Sequence, residues 1–227
     1  MTTATALLPD LGDLWRLPGV YAPQADTYLL AQALAQEAVT ADTEVLDVGT
    51  GSGALALLAA RMGARVSATD ISWRAVAAAR VNAVRSRQRI TVRRGDLAAP
   101  LRGRSFDLVV SNPPYVPAPG SFLRTRGAAR AWDAGVDGRQ IVDRVCARAP
   151  ALLASRGALL MVHSGLCGIE PTLQRLSEAG LRGTVIDRAY VPFGPVLHSR
   201  LPWLRAQGLV EPGEDKEELV VIRAERS

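Results

Sequence analysis

Apolar runs alternate with stretches of helical period along most of this chain, which predicts an α/β protein built on a parallel sheet. Residues 23–38 place Leu29, Leu30 and Leu34 near one face of a first helix. Glu44–Val48 reads as a buried strand, and the Ala- and Leu-rich residues 54–62 as the helix after it. A second strand is expected over 65–69, followed by a helix capped by Ser72 and running to about Val84. Ile90–Arg94 and Phe106–Ser111 read as the third and fourth strands. Residues 116–136 are irregular and rich in Pro and Gly, a loop length that usually accompanies function or disorder. Beyond it the pattern predicts a helix over 138–154, a strand over 158–163, and a helix over 171–179 stopped by Gly180. A strand over 182–191, a short helix over 201–207 and a last strand over 219–224 complete the expectation. The count is seven strands with six intervening crossovers.

Two turns carry chemistry. The first is Asp47-Val-Gly49-Thr50-Gly51-Ser-Gly53, set between a strand and a helix. Glycines there permit backbone conformations closed to other residues, and the helix behind offers free N–H groups and a positive dipole end. A pyrophosphate cradle would have the spacing Gly-x-Gly-x-x-Gly. Here the spacing is Gly-x-Gly-x-Gly with Asp47 before it, a carboxylate that repels pyrophosphate and suits a cofactor with an amino-acid moiety. Asp70, followed by Ile71, ends the second strand, where a carboxylate accepts from both ribose hydroxyls. Asp96, after the third strand, is placed to accept from an adenine amino group, with Leu97 beside the ring. Three carboxylates in register at successive strand ends favour S-adenosylmethionine.

The second turn is Asn112-Pro113-Pro114-Tyr115, directly after the fourth strand. The two prolines fix two φ angles and remove two backbone donors. The Asn112 side-chain oxygen and the Pro113 carbonyl then form two rigid acceptors near one point, matched to the two N–H bonds of a planar amine or amide. Tyr115 offers a face for such a group to stack on. Positioning of this kind carries much of the rate, so no strong general base is needed. The chemistry indicated is methyl transfer to nitrogen.

With these residues on view, the chain resembles the HemK/PrmC-type glutamine N5-methyltransferases, and most closely their short branch without the long N-terminal helical domain. The resemblance runs over residues 19–224 and rests on Val20-Tyr21-Ala-Pro23-Gln-Ala-Asp26-Thr27, the 47–53 turn, the 112–115 turn and Ala131-Trp132-Asp-Ala-Gly135-Val-Asp137-Gly138-Arg139. It implies a Rossmann-like class I methyltransferase fold, with a seven-stranded, mostly parallel sheet, helices on both faces and an antiparallel last strand. It further implies cofactor contacts at Thr27, Asp47, Gly49, Thr50, Gly51, Gly53, Asp70, Ile71, Asp96, Leu97 and Asn112. The glutamine amide would be held by the 112–115 turn, with Tyr21 and Asp26 beside it. The implied substrate is the Gly-Gly-Gln loop of a translation release factor, and the short branch is accompanied by a small zinc-containing activator.

There are departures. Ala22, Gln24 and Ala25 stand where the short branch usually carries acidic residues, Ala134 alters a Gly-Gly pair, and residues 192–212 look like an addition before the last strand, serving either as a substrate lid or as a packed surface hairpin.

Composition changes little. A length of 227 residues suits one domain, in which residues 1–40 cover the cofactor and substrate side. Net charge of +5 raises an alternative, N6-adenine-type methylation of DNA or RNA, since the same clamp accepts any exocyclic amine. A small-molecule N-methyltransferase and a non-enzymatic binding module are further alternatives. Lys216 is the only lysine and the arginines are scattered, the groups at 85–89, 93–94, 102–104 and 124–126 being short, which fits codon composition better than a basic groove. Arg126, Arg130 and Arg139 flank the loop after the clamp and are candidates to meet an anionic partner. No apolar run reaches membrane-spanning length, no signal sequence is evident, and Cys146 and Cys167 have no metal spacing, so a cytoplasmic protein without a metal site is expected. His163 and the two cysteines read as packed groups, and His198 as a surface residue.

Overall fold

The computed structural model describes residues 9–120 and 127–226. Its centre is a seven-stranded sheet in the order β3-β2-β1-β4-β5-β7-β6. β1 (Glu44–Val48), β2 (Arg65–Asp70), β3 (Ile90–Arg94), β4 (Phe106–Ser111) and β5 (Leu153–Ser164) run parallel. β7 (Lys216–Arg226) lies between β5 and β6 (Leu181–Pro192), antiparallel to both. The link from β6 to β7 is therefore not a crossover, contrary to the count of six.

The apolar runs form strands because both sheet faces are covered. Val45, Leu46, Val109, Val110, Leu159 and Leu160 are all at most 1% exposed. Connections from β1 to β2 and from β4 to β5 lead in opposite directions along the sheet. With right-handed crossovers, this sends α2 (Ala54–Arg61) and α4 (Gln140–Arg148) to opposite faces. α1 (Ala25–Gln36) packs on α2, and α5 (Ile169–Glu178) packs on α4 and β6. α3 (Trp73–Arg85) covers β2 and β3.

Several expected boundaries move. The helix anticipated over 138–154 stops at Arg148, because Pro150 has no N–H to donate and the chain tightens into a 3₁₀ turn, Ala149–Ala151. β5 then begins at Leu153, and its pairing with β4 shifts between Phe106 and Leu108 opposite Gly157. A Cβ at Gly157 would lie 2.6 Å from the Phe106 carbonyl oxygen. Ser72 occupies the N-cap position of α3 without a side-chain cap; Asp70 Oδ1 accepts the Ser72 N–H instead, at 2.7 Å. The short helix expected over 201–207 is a longer α6, Pro195–Ala206, whose first residue is a proline pre-set for helical φ. β7 extends beyond its apolar centre because β6 pairs with its polar ends. Among the described residues no helix is long and apolar enough to cross a membrane.

Candidate active site

Strand order reverses between β1 and β4, and at such a switch point the turns leaving adjacent carboxyl ends open a crevice. The glycine turn leaves β1 and the Asn-Pro-Pro-Tyr turn leaves β4. Val48 and Ser111 are in register at those ends, and Ser111 Oγ donates to the Val48 carbonyl at 2.9 Å.

The glycine turn is held from beneath. The Thr69 carbonyl accepts from the N–H groups of Gly49 (2.9 Å) and Thr50 (3.0 Å), and Gly51 N–H donates to Asp70 Oδ2 at 3.0 Å. Asp47 is 1% exposed, and its Oδ2 accepts from Thr50 Oγ1 at 2.6 Å and from Ala56 N–H at 3.1 Å. Burial pushes the Asp47 carboxyl up to about 7. The carboxylate is thus turned under the loop, gripping it and the start of α2. Gly49 and Gly51 have φ of +78° and +55°. A Cβ on Gly49 would come within 3.9 Å of the Asn112 carbonyl oxygen, whereas one on Gly51 would meet nothing within 4 Å. The crevice over Gly51 is open, and the clamp borders it.

Asp70 accepts backbone N–H bonds on both oxygens, and burial raises its carboxyl, while the charge of Arg130 acts in the opposite direction. Ile71 next to it is 46% exposed, an apolar face left open beside the turn. Leu97 has φ of +47°, a left-handed conformation uncommon outside glycine, which the surrounding structure must hold in place. Asp96 is solvent-exposed and paired with Arg144.

The clamp has its own support. Asn112 Nδ2 donates to Thr27 Oγ1 at 3.3 Å, which orients the amide. Asp26, 3% exposed, accepts the hydroxyls of Tyr21 and Tyr115 on Oδ2, each at 2.9 Å, and on Oδ1 the N–H and hydroxyl of Thr27. One carboxylate therefore ties the N-terminal segment to the clamp. Burial drives both tyrosine hydroxyls well above the usual phenol range. Glu217, at the start of β7, adds negative charge to this cluster, and burial pushes its own carboxyl up to about 7. Behind the clamp, Cys167 Sγ donates to the Tyr115 carbonyl at 2.9 Å, and a Cβ on Gly138 would lie 2.3 Å from that same oxygen. The roles of Glu217 and Cys167 had no local signal, because each reaches the clamp only through the fold; Gly138 lies in the 131–139 motif, but its contact with the Tyr115 carbonyl is likewise visible only in the fold.

Candidates set aside on sequence resolve as follows. His163 is fully buried, with Nδ1 against the Ser164 carbonyl, and burial lowers its pKa. Cys146 is buried and its thiol pushed up to about 12. Arg139 is not available to an anionic partner: it donates to the Cys167 and Gly168 carbonyls and to Thr172, and pairs with Asp143. Arg126 lies outside the described residues.

Comparison with known proteins gives this geometry a family. The methyltransferase small domain matches residues 12–124. Methyltransferase HEMK2 of Mus musculus is 39% identical over 174 residues, covering 73% of this chain and 81% of that protein. The chain belongs to the HemK/PrmC-type methyltransferases. The release factor glutamine methyltransferase of Geobacter sulfurreducens is 35% identical over 72% of this chain, which spans 59% of that longer enzyme. Among solved structures, the E. cuniculi Mtq2-Trm112 complex, responsible for methylation of the eRF1 translation termination factor, aligns with a TM-score of 0.65 at 25% identity, covering 92% of this chain and 99% of that one. The fold and the family make this HemK/PrmC-type protein a methyltransferase. Of the departures noted, Ala134 is buried in the ladder that follows the clamp, donating to the Val116 carbonyl at 3.1 Å, and Gly135 keeps a positive φ of +87°.

Proposed function

We propose that the enzyme methylates the side-chain amide nitrogen of a protein glutamine, with the Gly-Gly-Gln loop of a translation release factor as substrate and S-adenosylmethionine as donor. The observation that carries this reading is the adjacency of the two turns. The Asn112 backbone carbonyl stands 3.9 Å from where a Gly49 side chain would begin, so the two turns lie side by side at the carboxyl ends of β1 and β4.

The residues fit the cofactor. Asp70 and Asp96 would supply acceptors for ribose and adenine, Ile71 and Leu97 an apolar flank, and the turn at 49–51 an uncrowded backbone. S-adenosylmethionine supplies an electrophilic methyl group on a sulfonium. The protein's part is to bind and aim. Asn112 Oδ1 and the Pro113 carbonyl accept the two amide N–H bonds, which turns the nitrogen lone pair out of conjugation and toward the methyl carbon. Bound there, the sulfonium would give up its methyl group to this nitrogen and be left as a thioether, and the nitrogen would release a proton to solvent. Thr27 fixes Asn112, and Asp26 fixes Tyr115, so the acceptors need little reorganisation during transfer.

The Mtq2 relative occurs in complex with Trm112, and an activator subunit belongs to the proposal for this chain as well. Two of the basic groups are partly neutralised, Arg85 pairing with Asp13 and Arg104 with Glu44, which weakens the nucleic-acid alternative. The deciding assay offers radiolabelled S-adenosylmethionine with a release factor, its Gln→Ala variant, and total nucleic acid, each with and without a Trm112-type protein. Label on the wild-type factor alone is expected; label on nucleic acid overturns the substrate.

A further inference from the structure

Residues 192–212, expected as a substrate lid or a packed surface hairpin, are a packed segment built around α6. Phe193, Leu197, Leu204 and Val210 build a small apolar cluster separate from the main core, and Val116, Leu166, Leu201, Trp203 and Leu209 pack against it. Val116 also packs on the main core, so the residue one step past Tyr115 joins the two. The Phe193 N–H donates to the Asp215 carbonyl at 2.9 Å and closes the base of the segment.

Midway along α6, Arg200 reaches back to the clamp. Its Nη1 donates to the Pro117 carbonyl at 2.9 Å and its Nη2 to Asp133 Oδ1 at 2.6 Å. Both side chains are withdrawn from solvent, Arg200 to 16% exposure and Asp133 to 5%. The two acceptors belong to opposite sides of a short ladder. Val116 N–H donates to the Trp132 carbonyl (2.8 Å), Ala134 N–H to the Val116 carbonyl (3.1 Å), and Ala118 N–H to the Gly135 carbonyl (2.8 Å). A planar guanidinium offers two such acceptors a fixed fork of N–H donors, where an ammonium is a compact charge on a flexible stem. With the ladder pinned from the α6 side and the Tyr115 carbonyl held by Cys167 from the other, the clamp has one position.

We propose that Arg200 is a positioning residue for the clamp, and that α6 is the brace that carries it. The proposal rests on the reading of 112–115 as the substrate clamp; misplacing a reacting group by about 1 Å costs about 10²-fold in rate. Arg200→Leu is expected to lower kcat by about 10- to 100-fold while the Kd for S-adenosylmethionine stays within about threefold. Arg200→Lys is expected to recover only part of the loss. Adding Asp133→Asn to Arg200→Leu is expected to cost less than the sum of the two single changes, because Arg200 and Asp133 share a contact. Arg205→Leu, on an exposed position of the same helix, is expected to leave transfer unchanged.

A second readout needs no substrate. Hydrogen exchange at the amides of Val116, Ala118 and Ala134 is expected to quicken about tenfold in Arg200→Leu while β1 amides keep their protection. Unchanged exchange at those three amides overturns the proposal, as does a lowered melting temperature with kcat intact well below it. Should wild type label no release factor, that failure belongs to the substrate reading, and exchange still decides the role of Arg200. If Arg200→Leu does not fold, Arg200→Lys and Asp133→Asn carry the same two measurements.

Discussion

At the scale of single residues, the site depends on acceptors whose orientation other side chains have fixed. Asn112 presents its oxygen because Thr27 occupies its nitrogen. Asn112→Ala removes one of the two amide acceptors without touching the glycine turn, so kcat is expected to fall at least about 10²-fold, far more than cofactor affinity. Single-turnover transfer and equilibrium binding of S-adenosylmethionine check the two halves of that statement. Asp26 is the hub beneath. Asp26→Leu strands the hydroxyls of Tyr21 and Tyr115, and a buried donor left unmade costs about 1–3 kcal/mol. Chemical denaturation should show a loss near the top of that range. Tyr115→Phe, which removes one donor but leaves Asp26 with other partners, should cost about 1 kcal/mol.

Elements differ in how plainly the sequence declared them. β1 and β4 lie where their apolar runs begin and end, because a strand covered on both faces has little choice of residue; β3, at the sheet edge, also keeps its expected span although only Val92 of it is buried. The glycine turn and the proline turn were legible for the same local reason, each needing unusual backbone chemistry in a short span. The α4–β5 junction was not, since Pro150 and Gly157 act through a turn and a shifted pairing that periodicity does not record. The hub was equally hidden: Asp26 and Tyr115 stand 89 positions apart, and only the sheet brings them together. Elements also explain why Gly138 is a glycine. Any side chain there would drive into the Tyr115 carbonyl, at a φ of +72° that already disfavours one. Gly138→Ala is expected to destabilise by about 2 kcal/mol or more and to depress kcat more than it alters cofactor binding, as thermal melts and transfer assays would register.

Across the whole molecule, buried carboxylates set the response to pH. Asp47 and Glu217 are both pushed up to about 7 by burial, above their ordinary values near 4. The folded protein therefore holds protons between about pH 4 and 7 that the unfolded chain has released, so these two groups stabilise at low pH and lose that contribution as pH rises through 7. His163 is displaced the other way and contributes an opposite slope below its ordinary pKa. Comparing wild type with Asp47→Asn isolates one group. The stability difference, read from urea midpoints, should move in favour of the variant between pH 5 and about 7.5 and then level off.

One feature of the last strand offers a practical handle. Lys216, the sole lysine, sits exposed where β7 begins, on the rim of a cleft of about 400 Å³ lined also by Leu166, Tyr190 and Glu217. The chain thus carries a single ε-amine, and Glu217 beside it belongs to the charge cluster around Tyr115. An amine-reactive fluorophore, with the α-amine blocked at lower pH, would be attached at one defined point at the same end of the sheet as the clamp. Its emission would report the arrival of a protein substrate in real time, with no engineered cysteine and no competing label elsewhere on the side chains.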